Sequence, residues 1–257
     1  MSVMENPLTR YFIGTSGWTY DDWRGNFYPV DLPRSRWFDY YTARFDAVEV
    51  NATFYRAFKD QTCREWHART PAGFRFVLKA PRAITHYKHL LDAAEEIRAF
   101  DRSAHLLEEK LGLILLQVAP DTPYDLERLR SALLAFRTPS EVAVEFRRRD
   151  WLTVDTYDLL RDLGAALVNP DSPRDPLADR LTSEVGYLRL HGRRRWYAYD
   201  YTGEELAEVA GVARGMIDRG AKEVYIFFNN DPGGCAPRNA LELRERYLNA
   251  YLNVHMN

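Results

Sequence analysis

Nine polar side chains sit inside or just beyond the ends of short apolar runs, at a spacing that could gather them into one reactive site. Glu49 lies within the run 47–50, which leads into Asn51. The run 74–78 ends on Lys79, and 113–116 ends on Gln117. Glu145 lies within 142–146, ahead of Arg147, and Arg189 within 187–190, ahead of His191. The run 224–228 ends on Asn229. Side chains two apart on a strand point the same way, so Glu49 shares a direction with Asn51, Glu145 with Arg147, and Arg189 with His191. Turned toward packing helices, such ions would be buried without partners, at a large cost. Turned toward a common mouth, they compensate one another and shift each other's pKa, as groups in active sites do. Two carboxylates facing each other suit chemistry in which one donates and one accepts a proton, glycoside hydrolysis included. Glu49, Lys79, Glu145 and His191 are therefore the expected catalytic groups. A structural ion-pair network would give the same pattern. Glu145→Gln separates the two, by losing turnover with an unchanged melting temperature or by losing stability.

The elements that must position these groups alternate. Strands are expected at 11–14, 47–51, 74–79, 113–117, 142–146, 165–168, 187–191 and 224–229. Helices are expected from Pro33 onward and at 61–69, 93–107, 126–136, 156–163, 206–219 and 240–252. The 206–219 segment carries Leu206, Val209, Ala213, Met216 and Ile217 on one stripe. Between the sixth and seventh strands, 169–179 is rich in Pro and Asp and no helix is expected. Eight strands and about seven helices in 257 residues predict an α/β chain folded as a single-domain (β/α)8 TIM-type barrel, residues 1–257 with a core at about 10–252. A doubly wound sheet is the rival, but it usually carries a Gly-rich first turn.

Composition narrows the partners. A net charge of −2 gives no global attraction to nucleic acid or to acidic membranes. Cys63 and Cys235 lack metal-knuckle or disulfide spacing. Residues 1–10 have no apolar core of a secretory signal, and no stretch approaches the roughly 20 apolar residues of a membrane helix. The expectation is a cytoplasmic protein without membrane partners; its oligomeric state is not legible.

A small anionic substrate is expected to be held by Arg147, Arg189, Asn229 and Asn230, with Ser16, Asn51 and Gln117 as further polar contacts. Trp18 and Tyr55 would wall the pocket, and 14–28 would act as a lid. In FNNDPGGCAPRNA (228–240), Gly233 and Gly234 permit a backbone nest, and Pro237 is placed to open a helix with Arg238 in its first turn. A cation is disfavoured there unless an anion is bound, and barrels often hold phosphate at this corner. The aromatics at 18, 20, 23, 27, 28, 151, 196, 197, 199 and 201 read either as caps on the core or as stacking platforms. The basic runs 147–149 and 193–195 lie beside Trp151, Trp196 and Tyr197, a pattern that can grip nucleic acid. No cofactor is expected. A divalent metal on Glu49, Glu145, Asp171 and His191 is the competing use of those groups, opposed by Lys79 and the two arginines.

Six motifs carry a family resemblance: IGTSGWTYDDWRGNFYP (13–29), VEVNATFYR (48–56), FVLKAPRAITH (76–86), VAVEFRRRDW (142–151), YLRLHG (187–192), and FFNND with APRNA (227–240). Together they resemble the YecE-like family, domain of unknown function 72, across nearly the whole chain. The resemblance implies a TIM-type barrel and leaves the reaction open. Ala52 stands where members often carry a hydroxyl, and Val118–Ala119 where they often carry Pro-Pro. The leading expectation is hydrolase- or lyase-type acid/base chemistry on a sugar or nucleotide phosphate. The alternatives are an endonuclease IV-like nucleic-acid-binding or phosphodiester-processing protein and a non-catalytic phosphometabolite-binding module.

Overall fold

A computed structural model describes residues 11–56 and 58–248. Eight parallel strands form a nearly closed TIM-type barrel: β1 (Tyr11–Thr15), β2 (Ala47–Val50), β3 (Arg75–Lys79), β4 (Leu111–Val118), β5 (Val142–Phe146), β6 (Ala166–Asp171), β7 (Val185–Leu190) and β8 (Glu223–Phe228). The hydrogen-bonded order runs from β1 through β8 and back down to β2. Helices α1 (Trp37–Thr42), α2 (Ala52–Tyr55), α3 (Asp60–Arg69), α4 (Ala94–Ala104), α5 (Leu126–Leu134), α6 (Val154–Leu163), α7 (Gly203–Asp218) and α8 (Cys235–Glu242) form the outer layer.

The period-2 alternation of the strands divides the core in two. Outward side chains pack against the helices in one large apolar cluster. Inward side chains Phe12, Ala47, Val77, Leu113, Leu115, Ala143, Ala166, Val168, Tyr187, Tyr225 and Phe227 fill the barrel interior. One residue pair further along the same inward rows come Glu49, Lys79, Gln117, Glu145, Arg189 and Asn229, with Ser16 two pairs beyond Phe12. The interior is thus apolar at the N-terminal end of the strands and polar at the C-terminal end, where barrels of this type place their sites.

The seam between β1 and β2 is closed by side chains. Asp46 accepts a hydrogen bond from the Ile13 amide at 2.8 Å. The Tyr41 hydroxyl accepts from the Thr15 amide at 2.9 Å and donates to the Ala47 carbonyl at 3.0 Å. Gly14 permits this approach, since a Cβ there would lie 2.0 Å from the Ala47 carbonyl oxygen.

No helix intervenes between β6 and β7, as expected from 169–179. Asn169 ties that excursion down through both its amide atoms, donating to the Arg180 carbonyl at 2.9 Å and accepting from the Arg180 amide at 3.0 Å. The last helix differs from expectation. It begins at Cys235, five residues early, because Gly233 and Gly234 take φ of 69° and 70° and turn the chain directly into it. Pro237 therefore sits inside the first turn rather than opening it. The expected segment beyond residue 248, and residues 1–10, lie outside the described residues. No described helix is long and apolar enough to cross a membrane.

Candidate active site

Two tiers of polar groups occupy the C-terminal end of the barrel. The lower tier is an ion network with almost no exposure: Glu49 and Glu145 are 0% exposed and Arg189 is 2%. Arg189 Nε donates to both Glu49 oxygens at 3.1 and 3.0 Å, and its Nη2 to Glu49 Oε1 at 2.8 Å. Its Nη1 donates to Glu145 Oε2 at 2.9 Å. The Tyr187 hydroxyl and the Ser16 hydroxyl complete the shell of Glu49, at 2.6 and 2.7 Å. Arg147 Nε stands 2.8 Å from Glu145 Oε1. Burial alone would raise both glutamate pKa values. Arg189 outweighs it and holds Glu49 below the usual carboxylate range, and Arg189 with Arg147 holds Glu145 well below it.

His191 belongs to the same tier. Its Nδ1 faces the Asn229 side-chain amide nitrogen at 3.1 Å, and that amide donates. The proton of the neutral ring therefore sits on Nε2, which points toward Glu145 Oε1 at 3.9 Å. Burial pushes the His191 pKa down to about 4, despite the nearby carboxylate.

The upper tier surrounds an open cavity of about 430 Å³. Seven of the expected residues line it: Asn51, Tyr55, Lys79, Gln117, Arg147, Arg189 and Asn229. Lys79 Nζ donates to Gln117 Oε1 at 2.9 Å and lies 4.1 Å from the centre of the Phe54 ring. Among the described residues no carboxylate lies within ion-pair distance of it. Burial, reinforced by the positive charge of Arg189, pushes its pKa down to about 7.

Sequence reasoning missed three lining residues, Phe54, His86 and Asp231, while Tyr20 and Tyr197 were read only as core caps or stacking platforms. Asp231 matters most chemically, because burial pushes its carboxyl up to about 7 and its Oδ1 has no hydrogen-bond partner among the described residues. Tyr187, the partner of Glu49, was also missed, although it shares the inward row of Arg189 and His191.

Several expectations are corrected by placement. Glu49, Glu145, His191 and Ser16 lie beneath the cavity rather than on its wall. Trp18 faces away from it, against Phe38 and Trp66, with ring centres 5.0 and 5.9 Å apart. The segment 14–28 is an anchored plug rather than a lid. Trp23 is fully buried and donates to the Asp231 carbonyl at 2.9 Å, while Tyr28 stacks on Trp37 at 4.4 Å. The glycine corner after β8 is filled by the chain itself, since the Gly233 amide donates to Asp22 at 2.7 Å. Arg238 pairs with Asp200 at 2.9 Å, and Asn230 bonds the Tyr199 carbonyl and Asn239.

The basic runs are largely neutralised. Arg148 pairs with Asp150, Arg149 with Asp175, and Arg193 with Asp171 and Glu208. Asp171, counted in the metal alternative, is held by that Arg193 contact at 2.8 Å. Among the described residues, the group of metal-capable side chains within mutual reach is His67, Glu108 and Glu109, on the surface.

Residues 12–255 match the family described as "Protein of unknown function DUF72". The chain belongs to the DUF72 family. A DUF72 protein of Thermotoga maritima MSB8 superposes with a TM-score of 0.82 at 32% identity, over 92% of this chain and 98% of that one. A second, from Enterococcus faecalis V583, has a TM-score of 0.77 at 22% identity, over 91% and 94% of the two chains, and supports the fold alone. The UPF0759 protein YunF of Bacillus subtilis (strain 168) is 27% identical, over 91% of this chain and 93% of its own length. DUF72 membership agrees with the six sequence motifs and with the barrel. It is a family of unknown function, so the chemistry has to be argued from the site.

Proposed function

We propose that this DUF72 barrel binds a small anion, a sugar or nucleotide phosphate being the fitting class, and transforms it by proton transfer in the mouth cavity. The observation that carries this reading is the position of Lys79: an amine facing the cavity and, among the described residues, without a carboxylate within ion-pair distance. Around it, Arg147, Arg189 and Lys79 oppose Glu49 and Glu145. The two arginines balance the permanently ionised Glu49 and Glu145, and the charge of the cavity then turns on Lys79 and Asp231, which both titrate at about 7. The terminal nitrogens of Arg147 and the Lys79 ammonium are the free donors for an anion, since those of Arg189 are largely spent on the glutamates.

The acid/base role passes from the buried glutamates to the cavity wall. A proton-transfer group works best when its pKa lies near the operating pH. Lys79 and Asp231 both sit at about 7, whereas Glu49 and Glu145 are locked in the ionised form. A lysine lowered and an aspartate raised to the same value can exchange roles as donor and acceptor. Glu49, Arg189 and Glu145 then act as the charged floor that fixes Arg147 and sets the potential felt by Lys79.

The test has two steps. Inorganic phosphate at millimolar concentration should raise the melting temperature of the wild type more than chloride of equal ionic strength. That gain should vanish in Arg147→Met and in Lys79→Met. Sugar phosphates and nucleotides followed by phosphorus and proton NMR should then show turnover that Asp231→Asn and Lys79→Met abolish. An equal phosphate effect in all three proteins would overturn the assignment of the cavity. Saturable binding without turnover of any such compound would mark a binding module.

A further inference from the structure

We infer that Lys79 is a covalent nucleophile, and that the substrate class of this cavity is an aldehyde or ketone carrying a phosphate or carboxylate group. The inference rests on the anion-site reading above and deepens it. Its geometric basis is the setting of one amine. Lys79 is 8% exposed, yet it lines the cavity. Its Nζ is held from one side by Gln117 Oε1 at 2.9 Å and from another by the Phe54 ring at 4.1 Å. Neither contact takes up the nitrogen lone pair once a proton is lost. Gln117 adds a second observation: its side-chain nitrogen is buried, donates to no atom among the described residues, and sits beside that amine. A buried donor without a partner destabilises the fold unless something fills it. The carbonyl oxygen of a bound substrate, or the hydroxyl formed from it, is such an acceptor.

A lysine becomes nucleophilic when desolvation or neighbouring cations favour its neutral amine. Both causes operate here, and they push Lys79 down to about 7. At pH 7 that leaves on the order of a thousandfold more neutral amine than an ordinary lysine offers.

The step balances without any redox partner. The neutral Nζ forms a bond to the carbonyl carbon, and the C=O π pair moves to oxygen. A proton from nitrogen, relayed through a cavity acid, neutralises that oxygen to give a carbinolamine. Protonation of its hydroxyl by the same acid releases water as the nitrogen lone pair forms the C=N bond. The product is an iminium ion, which draws electrons from the adjacent carbon. Asp231, in its protonated form, is placed on the cavity wall to be that acid. Arg147 would hold the phosphate or carboxylate of the same molecule.

The chain has five lysines, Lys59, Lys79, Lys88, Lys110 and Lys222, so the test has internal controls. The intact protein is incubated at pH 7 with limiting pyridoxal 5′-phosphate, a phosphate-bearing aldehyde, then reduced with borohydride and mapped by peptide mass spectrometry. Lys79 should be labelled at least about tenfold faster than the exposed Lys59 and Lys222 and the half-buried Lys88, as its larger neutral fraction requires. Inorganic phosphate should slow that labelling, and Lys79→Arg, which keeps the charge but forms no imine, should abolish the adduct. Labelling confined to the surface lysines, in a protein that phosphate still stabilises through Arg147, would overturn the nucleophile and leave the anion site standing. Absence of both labelling at Lys79 and stabilisation by phosphate would overturn both.

Discussion

Arg189 and Glu49, from strands three apart round the barrel, meet in a two-nitrogen contact of 2.8–3.1 Å with neither side chain more than 2% exposed. An ion pair so deep is maintained by its own geometry. Taking two charges out of water costs several kcal/mol each, and only a full set of hydrogen bonds offsets that. Here Glu49 has Arg189, Tyr187 and Ser16, and Arg189 has Glu145 as its second carboxylate. The arrangement makes the lower tier a rigid charged floor and leaves proton transfer to the groups above it.

Glu145→Gln should therefore destabilise the protein instead of acting only on turnover. Removing one partner of a buried pair leaves an uncompensated charge, at a cost of about 3–5 kcal/mol. Urea unfolding should show a lower midpoint with an unchanged slope. A variant with wild-type stability would return Glu145 to the list of catalytic groups.

Lys79→Met should stabilise the protein, fully below neutral pH and progressively less above it. Below pH 7, Lys79 is charged in both folded and unfolded chains, and the folded state carries the full cost of burying that charge. Between about 7 and 10.5 the folded chain has released a proton that the unfolded chain still binds. Wild-type stability then rises with pH, by at most about 1.4 kcal/mol per unit. The advantage of Lys79→Met should be constant at low pH and close toward pH 10. Unfolding midpoints of both proteins at pH 6, 8 and 10 in phosphate-free buffer give the comparison; a constant gap would contradict the buried-amine picture.

Asn229→Asp should reverse the tautomer of His191. The asparagine amide donates to Nδ1 and forces the proton onto Nε2. A carboxylate at 229 accepts instead, so Nδ1 must carry a proton and the pKa must rise from about 4. Nitrogen-15 NMR of the imidazole reads both changes. An Nδ1-protonated ring in the wild type would contradict the assignment.

The strand rows were legible because period-2 alternation survives in any parallel barrel. Glu49 with Asn51, Glu145 with Arg147, and Arg189 with His191 do point inward, as their spacing requires. Depth was not legible. Two residues along a strand is about 7 Å, so Glu49 and Glu145 fall one tier below Asn51 and Arg147 and never reach the cavity. Loop residues were the hardest. Asp231 lies beyond the end of β8, where the buried Trp23 ring holds its backbone carbonyl, a contact between residues 208 apart in sequence that no local pattern encodes. Trp18 and Arg238 failed as candidates for the same reason in reverse: their partners, Phe38, Trp66 and Asp200, come from distant segments.

The titration of Lys79 itself tests the central claim most directly. With the lysine side chains labelled in carbon-13 and nitrogen-15, the Lys79 signal, assigned by its loss in Lys79→Arg, should titrate with a midpoint of about 7. Added inorganic phosphate should move that midpoint upward, because a bound anion favours the ammonium form. A midpoint near 10.5, unmoved by phosphate, would show an ordinary surface amine and contradict the account.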